Sequence, residues 1–220
     1  MIVVVDTETT GLDPVTDRVV EIACVPPSGH GARSLVYPRR PIPPEASAVH
    51  HIIDADVAGA PDLGDALSLA LFPHSVDEVE IFAAHNARFD RDFLPMLHDK
   101  KWIDTWRCAM HVWPDAPAFG NQVLRYWLGI DLPREGAHRA LQDATVTWHI
   151  LGRLMDERTV DDLLKLSTKA VVLRKVGFGK HFGSLWADVP LDYLEWCARQ
   201  DFDPDVKFTV KSELARRASR

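Results

Sequence analysis

Cysteine is scarce in this sequence. Cys24, Cys108 and Cys197 are the only three in 220 residues. They are scattered and lack metal-ligand spacing, which argues against a disulfide framework and fits a reducing cytosol. No apolar run reaches the ~20 residues of a membrane span. The first residues lack the charged region and cleavage site of a secretory leader. A cytoplasmic chain with no membrane partner is therefore expected. No internal repeat or low-complexity tract is present. Positive charge is also in short supply: the formal net charge is −7, which argues against broad nonspecific binding to polyanions.

What is present is enough apolar residue, 46% of the chain, to build a real core. The length suits one compact domain with a small appendage. Charge divides unevenly. Residues 1–170 hold 16 Lys and Arg against 25 Asp and Glu, whereas residues 171–220 hold 9 against 7. A basic end on an acidic body could meet a phosphate backbone. From charge alone, a solvated helix face is the plainer reading.

The pattern predicts a first strand over Met1–Val5, a second over Val19–Val25 and a third over Ser34–Tyr37, paired as an antiparallel meander. Pro38 to Pro44 reads as a loop. Apolar spacing predicts a helix from Asp62 to Phe72, and Ile81–Ala84 reads as a short strand. Asn86 is placed to cap the next helix, which Pro95 should stop or kink. Further helices are expected over Asn121–Leu128, Ala140–Leu154 and Val160–Thr168. On the Ala140–Leu154 helix, Leu141, Thr145, Trp148 and Leu151 form one stripe; Trp127 and Trp148 read as structural. Strands first, then helices alternating with strands, indicate an α/β fold with a mixed sheet. From about residue 171 the chain turns Gly-rich and basic, with helices starting at Pro190 and at Pro204 or Asp205. The expected division is a domain over 1–170 and a small α+β module over 171–220.

The chemistry begins at the end of the first strand. In Asp6-Thr7-Glu8-Thr9-Thr10-Gly11 the side chains two apart share a face, so Asp6 and Glu8 aim two carboxylates at one spot. Like charges that close are costly unless a cation sits between them. Hard divalent cations take oxygen ligands from carboxylates together with substrate phosphates. By itself the pair fits equally an exposed strand end before a Gly turn. Two later segments add to it. His85-Asn86-Ala87-Arg88-Phe89-Asp90 sets Asp90 one turn into a helix, at a strand-to-helix edge where carboxylates converge. His138-Arg139-Ala140-Leu141-Gln142-Asp143 brings a loop histidine and a helix carboxylate together if His138 lies before the helix.

That ordered set resembles the DEDDh family of 3′→5′ exonucleases, over residues 1 to about 157. The resemblance implies a ribonuclease H-like mixed sheet flanked by helices. It implies that Asp6, Glu8, Asp90 and Asp143 are metal ligands for two Mg²⁺ or Mn²⁺ ions, with His138 as general base. The reaction implied is release of nucleoside 5′-monophosphates from DNA 3′ ends, single-stranded or frayed, in a repair role. His50-His51-Ile52 is similar to the family's segment beside the terminal base, with His51 in place of Gly. Thr7 would reach the scissile phosphate through its backbone, and Leu12 and Ile52 would wedge against bases. Asn86 caps its helix or touches substrate; Phe89 belongs to the core or to a platform under a base. The C-terminal module resembles that of a short DNA-degrading member, through Phe178-Gly179-Lys180-His181, Tyr193-Leu194-Glu195-Trp196 and Phe208-Thr209-Val210-Lys211. Phe182-Gly183-Ser184-Leu185 departs from it where such modules carry a basic residue and Gly-Lys, which weakens a phosphate role for that loop. Rival readings are an exoribonuclease trimming RNA 3′ ends, a proofreading subunit bound to a polymerase, and a nucleic-acid-binding module without catalysis. The last would need a broken metal set.

Overall fold

The computed structural model describes residues 1–133 and 139–219. Residues group into two compact units, Met1–Ser167 and Thr168–Arg220. The first is built on a five-stranded sheet of β1 (Ile2–Thr9), β2 (Val19–Val25), β3 (Ala32–Leu35), β4 (Ile81–Ala84) and β5 (Lys101–Asp104), in the order β3-β2-β1-β4-β5. β1, β2 and β3 pair antiparallel, whereas β4 and β5 join parallel. This is a mixed α/β sheet of the ribonuclease H-like kind. The switch in direction falls at β1.

Helices cover both faces. α1 (Pro44–His50), α2 (Asp54–Val57), α3 (Leu63–Leu71) and α4 (Ala87–Phe93) precede β5; α5 (Thr105–Val112), α6 (Asn121–Trp127), α7 (Ala140–Glu157) and α8 (Val160–Thr168) follow it. Strand alternation sorts the core into two layers. Val3 and Val5 pack with Ala66, Leu67, Ala87 and Phe93 of α3 and α4. Val4 packs on the other side with Ala109, Leu124, Ala140, Ala144 and Ile150 of α5, α6 and α7. Asp6 and Glu8 share Val4's parity and so lie on the α7 side; Thr7 lies on the α4 side.

The second unit holds α9 (Leu191–Ala198) and α10 (Pro204–Ala218), and its β content is one antiparallel bridge between Lys175 and Leu185. Its core gathers Val176, Trp186, Val189, Tyr193, Leu194, Cys197 and Val210. Among the described residues no helix is long and apolar enough to cross a membrane.

Several local expectations are corrected. β3 lies at Ala32–Leu35, not Ser34–Tyr37, because the ladder to β2 starts at Ala32 opposite Cys24. α1 begins at Pro44 inside the expected loop; proline suits the first helical position, where its missing N–H costs nothing. β5 and α5 were not expected; β5 is four residues long and passes into α5 with no Gly or Pro between them. Asn86 occupies the cap position of α4 but makes no side-chain cap bond, since its backbone is left-handed, at φ 70°. The buried face of α7 is Ala140, Ala144, Thr147, Ile150, Leu151 and Leu154. Leu141, Thr145 and Trp148 only flank it. Trp127 is exposed, with Trp113 5.9 Å away.

Candidate active site

β1 outruns its parallel neighbour. The register Ile2↔Ile81 to Val4↔Ala83 exhausts β4 one residue further on. Asp6 to Thr9 therefore extend beyond β4 on that side, at the carboxyl edge where open α/β sheets bind ligands. There the chain from β4 turns through His85 and Asn86 into α4, bringing Asp90 to β1. His85 anchors the turn: its Nε2 lies 2.7 Å from Phe119 O and its Nδ1 2.9 Å from the Thr105 hydroxyl. Burial holds its pKa down to about 4, so the ring is neutral.

The carboxylates of Asp6, Glu8, Asp90 and Asp143 feel one another. Asp6 is held well above the ordinary carboxylate range, first by burial, then by Asp90, Asp143, Glu8 and Glu21. Glu8 is pushed up to about 8, by burial and then Asp143, Glu21 and Asp90, with Arg139 opposing. Asp90 rises to about 7 through burial, although hydrogen bonds from Thr7 oppose the rise. Such an array favours protonation or a cation.

Asp90 and Asp143 are held by side-chain donors in roles that the sequence reading did not assign. Thr7 Oγ1 donates to Asp90 Oδ1 at 2.8 Å. Gln122 Nε2 donates to Asp143 Oδ1 at 2.9 Å, and Asn121 Nδ2 donates to the Asp143 backbone oxygen at 3.0 Å. Glu21 stands opposite Glu8 on β2 and is fully buried. It accepts from Arg139 Nε and Nη2 at 3.1 and 2.6 Å, from the Ala140 N–H at 3.0 Å, and from Arg33. Burial alone would raise its pKa, but these donors hold it below the usual range. Buried Asp104 ends β5, caps α5 through the Arg107 N–H at 3.1 Å, and lies 3.8 Å from the Arg107 guanidinium. A strand-end acid just before a helix was the one available signal for Asp104. Nothing local marks Glu21 or Gln122, whose partners lie 118 and 21 residues away.

Beside Glu8 lies a cavity of about 360 Å³, bordered by Thr7, Glu8, Leu12, Val49, His50 and Phe89. Leu12 is 84% exposed at its rim. Two of the expected substrate-contact residues lie outside this cavity. Ile52, 1% exposed, packs with Val20, Ile42 and Val57, so its side chain cannot wedge a base. His51 is the left-handed C-cap of α1, at φ 59°, and does not border the cavity. His50 takes its place; its Nδ1 accepts from the Ile52 N–H at 3.0 Å. Asn86 is exposed, and half-buried Phe89 packs on Phe93 with ring centroids 4.9 Å apart. His138 lies outside the described residues.

Among the described residues no three acidic, imidazole or thiol side chains are already gathered about one ion-sized point. The donor set is nonetheless that of a hard divalent cation: carboxylate oxygens in mutual repulsion, with no thiolate and no ammonium in the group.

An Exonuclease family model matches residues 3–151, and a model for a quorum-sensing-regulated virulence factor matches residues 165–210. The chain is 32% identical to Exodeoxyribonuclease 10 of Escherichia coli, over 97% of this chain and 99% of that one. It is 34% identical to the DNA polymerase III subunit epsilon of Treponema pallidum, over 64% and 70%. Among solved structures, Exonuclease X in complex with 5′ overhanging duplex DNA matches at 33% identity and a TM-score of 0.65, covering 76% of this chain and 99% of that one. Escherichia coli Exonuclease I with a dA16 oligonucleotide shares the fold at 20% identity and a TM-score of 0.56, covering 74% and 42%.

Proposed function

This chain belongs to the exonuclease family, and from that premise we infer that its carboxylate cluster is the active site of a metal-dependent 3′→5′ exodeoxyribonuclease acting in DNA repair. The observation that carries the reading is the gathering of buried acids at the end of β1: burial raises Asp6, Glu8 and Asp90, and Asp90 and Asp143 add to the rise at Asp6 and Glu8. Acids this buried and this close together make a site suited to added positive charge. The full-length similarity to Exodeoxyribonuclease 10 supports DNA as the substrate.

Asp6, Glu8, Asp90 and Asp143 would hold Mg²⁺ or Mn²⁺, two ions per site. When bound, the cations supply positive charge where the phosphate and the leaving oxygen gain negative charge. The protein's own residues do the rest. Thr7 and Gln122 orient Asp90 and Asp143. Arg139 and Glu21 fix the start of α7, directly after His138 in the chain. His138 takes the proton of the attacking water, a role that imidazole side chains commonly fill. Leu12 at the cavity rim stacks on a terminal base without reading its identity. The substrate is a DNA 3′ end, single-stranded or frayed. Catalysis belongs to the N-terminal domain, with residues 171–220 as an added module.

The test is release of nucleoside 5′-monophosphates from 3′-labelled DNA, with Mg²⁺ or Mn²⁺ supplied or chelated. Metal-dependent release that is lost in His138→Ala supports the reading. Metal-independent release, or full activity of His138→Ala, overturns it.

A further inference from the structure

The second unit carries chemistry that the active site does not use. From Thr168 to Ala187 it holds Lys169, Arg174, Lys175 and Lys180 and no Asp or Glu. This stretch folds into a tight loop. The Val176 N–H donates to Ser184 O at 2.9 Å and the Gly183 N–H to Val176 O at 2.8 Å. Gly179 is at φ 63°, and a Cβ there would stand 2.8 Å from the Tyr193 hydroxyl. The loop is thus pressed onto Tyr193 at a point where only glycine fits. Lys180 Nζ lies 5.1 Å from the Tyr193 ring centroid, and the His181 ring meets Tyr193 edge-on at 4.5 Å. Tyr193 in turn stacks on Trp196, with centroids 5.2 Å apart.

Three large rings stay open to solvent on this small unit: Phe182 is 75% exposed, Trp196 42% and Phe208 40%, and of these Phe182 lies on the loop itself. Lys175 and Lys180 form no ion pair among the described residues. The Phe182–Leu185 stretch itself carries no basic residue, but the Lys175–Leu185 bridge sets a lysine across from it. Lysines and an open aromatic ring on one short loop match a single strand of nucleic acid, whose phosphates pair with lysine and whose unpaired bases stack on rings. Charge complementarity selects the same partner. Residues 1–170 carry nine more acids than bases, so the basic module is where a polyanion meets least repulsion.

We propose that the Arg174–Leu185 loop is a single-stranded-DNA site, held by Lys175 and Lys180 at phosphates and by Phe182 under a base. This rests on the chain being a DNA exonuclease and adds a second place where it grips the strand.

The test is fluorescence anisotropy of a labelled oligo-dT with the intact chain in EDTA, so that binding is read without turnover. Replacing both lysines (Lys175→Glu with Lys180→Glu) should weaken binding at least 10-fold and flatten the plot of log K against log salt by about 1.4, at roughly 0.7 per phosphate contact. Phe182→Ala should weaken binding by about 5-fold or more. Lys211→Glu, at an exposed site on α10, removes the same kind of charge and should change little. Loop variants that bind like the wild type overturn the proposal, as does an equal loss in Lys211→Glu, which would mean diffuse attraction only. Wild-type protein that binds the oligomer but releases no nucleotide with Mg²⁺ would instead overturn the catalytic reading.

Discussion

The hydroxyl of Thr7 donates to Asp90 at 2.8 Å, joining the strand residue between Asp6 and Glu8 to a carboxylate 83 residues away. Strand alternation sends Asp6 and Glu8 toward α7 and the Thr7 donor toward α4. One tripeptide thus serves both sides of the sheet end. Thr7→Val keeps the branched shape and removes the donor. Mn²⁺ affinity, read by calorimetry, should fall by about 10–100-fold, the usual effect of losing a group that orients a ligand. Unchanged affinity would remove Thr7 from the site.

Arg139 clamps the start of α7 to Glu21, which is fully buried. Arg139→Ala strands that carboxylate against Arg33 and one backbone N–H. The expected cost is about 3–5 kcal/mol, since a buried charge loses its main partner. In a chain this long that is a fall of roughly 6–20 °C in Tm. Arg139→Lys should recover only part of it, because an ammonium cannot reproduce the two-pronged contact. Under permissive temperature kcat should fall more than KM rises.

The crowded acids fix a pH dependence. A carboxyl whose folded pKa lies above its unfolded value binds more protons when folded, so stability falls as pH rises through that window. Glu8 moves from 4.5 to about 8 and Asp90 from 3.8 to about 7. In EDTA, Tm should therefore decline from about pH 4 to pH 8, and saturating Mn²⁺ should flatten the curve. Asp6→Asn removes one repelling charge and should raise Tm in EDTA at pH 8 while abolishing nuclease activity. A flat Tm profile in EDTA would contradict the charge crowding.

Leu12 and Ile52 should part company. Leu12→Ala, at an exposed rim, should leave Tm unchanged and weaken substrate binding by about 1–3 kcal/mol, the scale of one stacked base. Ile52→Ala should cost about 2–5 kcal/mol of stability by opening a cavity in its apolar cluster, with little change in KM once folded. Melting curves and steady-state kinetics on one oligonucleotide separate the two.

Ile52 also shows where the sequence stops being legible. Its motif placed it beside a base, but a residue's face is decided by the turn before it, and the left-handed backbone of His51 turns Ile52 inward. β2, β4 and α8 were readable to the residue, β2 because Pro26 and Pro27 end its apolar run. β5 and α5 have no such punctuation between them. Strand parity alone marked Asp6 and Glu8 as a pair, whereas Asp90 and Asp143 were picked out by the family resemblance, since each taken alone reads as an ordinary helix residue. Glu21, Gln122 and Asp104 were not, because they act through partners that only the folded chain brings near.

Glu8 and Glu21 face each other directly across β1 and β2, where like charges normally destabilise a sheet. Here the two have been given different fates. Glu21 is saturated by Arg139, Arg33 and a backbone N–H, while Glu8 is left bare. The result is a matter of valence. Four carboxylates would balance the two divalent cations proposed for the site, so the loaded centre would be neutral and admit an anionic phosphodiester. A fifth acid without Glu21's cationic partners would leave it negative and repel its own substrate.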